Sequence, residues 1–151
     1  MGISVLVIVP CGKKKIWNVN PEAGPCEARD AYRGNLFKVC REYAEKFADR
    51  WVILSAKYGF IDPDFIIPEN YDVTFKDPKT NPVKVEQLRK QAEKMGLNEY
   101  DKIVVLGGKE YINVVTKVFP ASKLIAPFKG LPLGKMMQAV KKAISKGELF
   151  P

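Results

Sequence analysis

The chain has 151 residues, 25 of them Lys or Arg against 17 Asp or Glu, for a formal charge of +8, and it contains no histidine. Without an imidazole, Ser-His-Asp and Cys-His nucleophile pairs, HExxH metal sites and histidine general bases are all excluded, so proton transfer must rely on Lys, Tyr, Cys, Asp or Glu. The length and the 46% hydrophobic content predict one globular domain spanning residues 1–151.

Residues 3–9 form an apolar run that predicts a buried strand. No basic region precedes it and Lys13-Lys14-Lys15 follow it, the reverse of a signal peptide, and it is too short to span a bilayer, so no membrane partner is expected. The three cysteines, Cys11, Cys26 and Cys40, form no CxxC pair. An odd, widely spaced set predicts neither a disulfide framework nor a zinc site and fits a reducing cytoplasm.

Residues 10–26 are rich in Pro, Gly and Asn and predict a loop. Leu36, Cys40, Tyr43 and Phe47 recur at helical spacing, which makes Cys40 a core residue. Residues 51–55 read as a second buried strand. The stretch from Gly59 to Pro82 has four prolines and no helical period, which predicts a long surface excursion with one extended piece near Tyr71–Phe75. Val85, Leu88, Ala92 and Met95 mark a helix closed by Gly96. A third strand at 103–106 runs into Gly107-Gly108 and another helix, a fourth strand follows at 124–126, and the last helix turns Leu133, Met137, Val140 and Ile144 to one face. Its other face carries Lys135, Gln138, Lys142 and Lys146.

Continuously apolar strands alternating with helices predict a single α/β domain of Rossmann-like type, with a mainly parallel four-stranded sheet in order 2-1-3-4 and helices on both faces. Ligands bind such sheets where the strand order reverses, at the carboxyl ends of the strands. Three loops meet there.

The first loop, Cys11-Gly12-Lys13-Lys14-Lys15, crowds three ammonium groups, and crowding lowers the pKa of at least one of them. Lys15 is thereby a candidate nucleophile or anion clamp, Lys13 and Gly12 candidate ligand contacts, and Cys11 either an activated thiolate or an inert residue at the strand end. The second loop offers Ser55, Lys57, Tyr58 and Gly59, to which the excursion returns Tyr71 and the candidate acid/base Asp72. In the third, Gly107 and Gly108 permit positive φ and close approach of a ligand, and Lys109 and Glu110 open a helix whose N-terminus suits an anion. The turn is neither GxGxxG nor a Walker A loop, and no cofactor or metal is expected.

The charge excess is confined to two places. Residues 1–15 hold three Lys and no acid, and residues 111–147 hold seven Lys and no acid, while the middle is almost neutral. A localised excess suits a nucleic acid or nucleotide-like anion, with Lys135, Lys142 and Lys146 as candidate nucleic-acid contacts. A solvated lysine-rich helix face is the alternative.

The residues also carry a resemblance. Ile53–Ile61 with Ile67-Pro68 and Tyr71-Asp72, and Val105–Tyr111, resemble segments of the YaaA peroxide-stress family. Pro10-Cys11 followed by Lys15 is similar to the lysine-transferring core of archaeosine synthase, which aligns Lys15 with that family's reactive lysine. Cys11–Lys15, Ala28–Gly34, Phe37, Tyr43-Ala44, Ile53–Asp64, Tyr71-Asp72 and Leu106–Tyr111 together resemble an uncharacterised family of short domains. These resemblances imply recognition of a nucleobase or nucleic acid, either as a base-modifying enzyme using Lys15 or as a DNA- or RNA-binding module without chemistry.

Overall fold

The computed structural model describes residues 2–151. Its elements in order are β1 (Val5–Pro10), α1 (Ile16–Val19), β2 (Cys26–Glu27), α2 (Ala28–Ala31), α3 (Asn35–Phe47), β3 (Arg50–Ser55), β4 (Gly59–Ile61), β5 (Ile66–Ile67), α4 (Val85–Lys94), β6 (Lys102–Val105), α5 (Lys109–Val115), β7 (Leu124–Ile125) and α6 (Leu133–Lys146). The architecture is mixed α/β.

The main sheet has five strands in the order β4-β3-β1-β6-β7, which corrects the expected four-stranded sheet. β1 is central and pairs in parallel with β3 and β6, and β6 pairs in parallel with β7. The added strand is β4, which turns back antiparallel onto β3 with Leu54 opposite Phe60. Gly59 makes that reversal possible, because its φ of +77° lies in the left-handed region that a side chain disfavours.

All six residues of β1 are buried, and they alternate between two cores. Val5, Val7 and Val9 pack with Tyr43, Ala44 and Val140 from α3 and α6, while Leu6 and Ile8 pack with Leu88, Ala92 and Val115 from α4 and α5. Two-sided burial of this kind is why the strand shows no alternation in sequence.

Four local expectations change. Residues 10–26 are not only loop, since they hold the short α1, which buries Trp17, and they lead into β2. No strand forms at Tyr71–Phe75; the strands of the excursion are β4 and β5, and β5 pairs antiparallel with β2 in a small separate sheet. The buried stripe of α6 is Met136, Val140 and Ala143 instead of the expected face, with Leu133 58% exposed. The buried stripe is thus turned by about one residue from the expected face, and Met136 packs beside Gly108, where a Cβ would come within 3.3 Å of its Cε. Finally, neither Gly107 nor Gly108 has positive φ.

Candidate functional site

β1, β3 and β6 end side by side, and the loops that follow them bound a cleft of about 560 Å³. Cys11, Gly12, Lys13, Lys15 and Ala56 line its floor, Asp72–Lys76 of the excursion line one wall, and Glu110, Tyr111, Leu36, Leu133 and Met136 line the rest. The lining joins cations to apolar and aromatic surface.

Cys11 prolongs β1, its N–H donating to the Leu54 carbonyl at 3.4 Å. At Gly12 the chain leaves the sheet with φ +72°, and the Gly12 N–H donates to the Tyr111 hydroxyl at 3.2 Å. That hydroxyl also lies 3.4 Å from the Cys11 sulfur. Tyr111 reaches this place because Gly107 has no side chain: a Cβ there would stand 2.7 Å from Tyr111 Cβ. Close packing, not an unusual φ, is therefore what Gly107 supplies.

Lys15 is 6% exposed. Its backbone bridges to Tyr32, and its Nζ donates to the carbonyls of Lys13 and Tyr71, both at 3.2 Å, and sits 4.3 Å from the centre of the Tyr71 ring. None of the ion pairs among the described residues includes it. Burial holds its pKa below the usual lysine value, helped by Lys13 and opposed by the charges of Cys11 and Asp72.

Behind Lys15 runs a chain of hydroxyls. Ser55 is fully buried, and its Oγ accepts the N–H groups of Lys57 and Tyr58 at 3.2 and 3.1 Å. With both lone pairs engaged, Ser55 donates to the Tyr71 hydroxyl at 2.9 Å, and Tyr71 in turn meets the Tyr32 hydroxyl at 2.5 Å. Burial pushes both phenols well above their usual range.

The expected site residues thus divide. Cys11, Gly12, Lys13, Lys15, Asp72 and Glu110 line the cleft together, and Ser55 and Tyr71 support it from behind. Lys57, Tyr58 and Gly59 stand outside the lining: Lys57 is exposed, Tyr58 packs edge-on against Tyr71, and Gly59 opens β4. Gly107, Gly108 and Lys109 also lie outside it, and the Glu110 carboxylate is paired with Lys76 at 3.2 Å. Lys135, Lys142 and Lys146 are exposed along α6 and are not part of the cleft lining.

Sequence reasoning missed Tyr32, Phe75, Lys76 and Met136 and did not single out Tyr111. Tyr32 and Tyr111 stood within the quoted motifs Ala28–Gly34 and Leu106–Tyr111, which was the available signal. Phe75 packs edge-on to Tyr111, ring centres 5.9 Å apart, a contact between distant segments that no local pattern announces.

A model described as "Family of unknown function (DUF6884)" matches residues 6–142. The chain is similar to the uncharacterized protein YfjM of Bacillus subtilis (strain 168), 42% identical over 145 residues that cover 93% of this chain and 95% of that protein. These findings lend no support to the resemblance to YaaA or to archaeosine synthase. No solved structure matches.

Proposed function

The chain belongs to this family of unknown function, and we propose that its cleft binds a nucleotide-like ligand, with Lys15 as the clamp for the ligand's anionic group. The observation that carries the reading is the buried ammonium of Lys15, which lines the cleft without a carboxylate partner. Burying a charge is costly unless it is paired, and an anion entering the cleft offsets that cost.

The clamp role is favoured over a lysine nucleophile. Two carbonyl acceptors and an aromatic face all stabilise the charged form, and an ammonium has no lone pair to attack with. Its third N–H is left for a ligand oxygen. Phe75, Tyr111, Leu133 and Met136 offer apolar surface for a ring, and Lys13 adds a second ammonium to the lining. The position supports the Rossmann-like reading of the parallel core, since the cleft opens at the strand ends on either side of the central β1.

Isothermal titration calorimetry with UMP, GMP, the corresponding nucleosides and inorganic phosphate tests this. The monophosphates should bind and the nucleosides bind more weakly. Lys15→Met should reduce monophosphate affinity about 10- to 100-fold, the range for a hydrogen bond to a charged group. Absence of monophosphate binding at low salt would overturn the reading.

One observation favours a polymer over a free nucleotide. α6 exposes Lys135, Lys141, Lys142 and Lys146 and carries no acidic residue, while Leu133 and Met136 at its start line the cleft. Phosphates of a polynucleotide would then run along α6 with one base in the cleft.

A further inference from the structure

We propose that Lys76 is a second phosphate-binding group of the cleft and that Glu110 competes with the ligand for its ammonium. The proposal rests on the nucleotide-like reading above, which gives the anion to Lys15 and leaves Lys76 without a role.

The charged side chains of the lining are Lys13, Lys15, Lys76, Asp72 and Glu110. A carboxylate in a cleft that takes an anion works against binding, because like charges repel. Asp72 acts on Lys15 and supports its ammonium. Glu110 instead is paired with Lys76, Nζ to Oε1 at 3.2 Å. The charge of Lys76 thus faces the cleft already neutralised, and an anion can use it only by taking the place of Glu110.

The two partners differ in freedom. Glu110 is the fixed one: its side chain is 29% exposed, and its Oε2 packs over Gly108, where a Cβ would stand 3.6 Å away. The Lys76 side chain is 75% exposed. Its backbone is held, since its N–H donates to Thr74 Oγ1 at 3.2 Å, and Thr80 Oγ1 both accepts from the Thr74 N–H and donates to the Thr74 carbonyl at 3.0 Å. The ammonium can therefore change partner by rotation about its flexible four-carbon stem while the wall stays in place. Beside the pair, the contact of Phe75 with Tyr111 still joins the wall to α5 when the pair opens.

The magnitudes favour exchange. Opening an exposed ion pair costs a ligand at most about fivefold in affinity, and that loss is the same for every ligand. The gain grows with ligand charge, and a phosphate monoester carries about −1.5 to −2 at neutral pH where the carboxylate carries one charge. A neutral ligand leaves the pair closed; a phosphate opens it.

Competition predicts opposite signs at the two residues, whereas a brace that merely shapes the cleft predicts the same sign. Isothermal titration calorimetry at low salt compares UMP with uridine on the wild type, Glu110→Gln, Lys76→Met and the double variant. Glu110→Gln should tighten UMP about three- to tenfold, since it releases Lys76 and removes a repelling charge. Lys76→Met should weaken UMP, and its effect should be larger where Glu110 is already Gln. Uridine, which has no phosphate, should respond to none of these changes. Weaker UMP binding in both single variants would make the pair a brace and overturn the proposal. So would uridine affinity that moves together with that of UMP. If Lys76→Met has no effect in the Glu110→Gln background, Glu110 only repels and the role of Lys76 is overturned. UMP binding to none of the four proteins would overturn the nucleotide-like reading and this inference with it.

Discussion

The hydroxyls of Tyr32 and Tyr71 stand 2.5 Å apart, joining the end of α2 to the long excursion between β5 and α4. Because Ser55 must donate to Tyr71, one hydroxyl ties the excursion to both β3 and the α2 corner, and the Tyr71 carbonyl meanwhile holds Lys15. With the Phe75–Tyr111 ring contact and the Lys76–Glu110 ion pair, Tyr71 anchors this wall of the cleft.

Tyr71→Phe should therefore destabilise the protein by about 1–2 kcal/mol, the net worth of one or two buried hydrogen bonds. Tyr32→Phe should cost less, since it breaks one link. In chemical denaturation the double variant should cost less than the sum of the two, because they share a bond. Strict additivity would show that the 2.5 Å contact carries no coupling.

The lowered pKa of Lys15 fixes a sign for pH dependence. The folded chain binds fewer protons at this group than the unfolded chain between the lowered value and the ordinary lysine value of 10.5. The cost of the buried charge is thus fully present below the folded pKa and is relieved as pH rises towards 10.5. Relative to Lys15→Met, the wild type should gain stability across that window, measured by urea unfolding at stepped pH. Monophosphate affinity should move the opposite way, falling as Lys15 loses its proton. A wild-type curve parallel to that of Lys15→Met would remove Lys15 from the linkage.

How much of this was readable in the chain depends on the range of the interaction. β1, β3 and β6 are continuous apolar runs, and a strand buried on both faces announces itself locally. The left-handed Gly96 that follows α4 was equally legible. β4 was not, because Gly59-Phe60-Ile61 is too short to show a period and is defined by its pairing with β3. The loops that carry Cys11, Lys15 and Ser55 could be placed together from strand order alone. What the sequence withheld was polarity: that Lys15 points inward at two carbonyls, and that Tyr111 turns its hydroxyl to Cys11, follow from contacts between residues 56 and 100 positions apart.

Gly59 illustrates a site residue whose role is structural. Its φ of +77° disfavours a side chain by about 1–2 kcal/mol. A Cβ there would also fall 2.1 Å from Gln91 Oε1, and Gln91 holds β4 by accepting from Phe60 N at 2.9 Å and donating to the Tyr58 carbonyl at 2.8 Å. Gly59→Ala should therefore cost about 2–4 kcal/mol in all, combining the backbone strain with at least one lost hydrogen bond. Monophosphate affinity of the folded fraction should be unchanged. Weakened binding with wild-type stability would return Gly59 to the ligand site.

The α6 lysines separate a free nucleotide from a polymer. Lys135, Lys142 and Lys146 are exposed, are absent from the ion pairs among the described residues, and share one side of the helix. Each phosphate neutralised on a single strand contributes about 0.7 to the slope of log affinity against log salt, and about 0.9 on duplex. Replacing all three with Gln should therefore flatten the slope for single-stranded nucleic acid by about 2 and weaken binding at low salt. UMP affinity should not change, since none of the three lines the cleft. Fluorescence anisotropy with a labelled oligonucleotide, read from low to moderate salt beside calorimetry with UMP, makes the comparison. An unchanged slope would confine the site to small anions and leave the basic face of α6 as solvated surface.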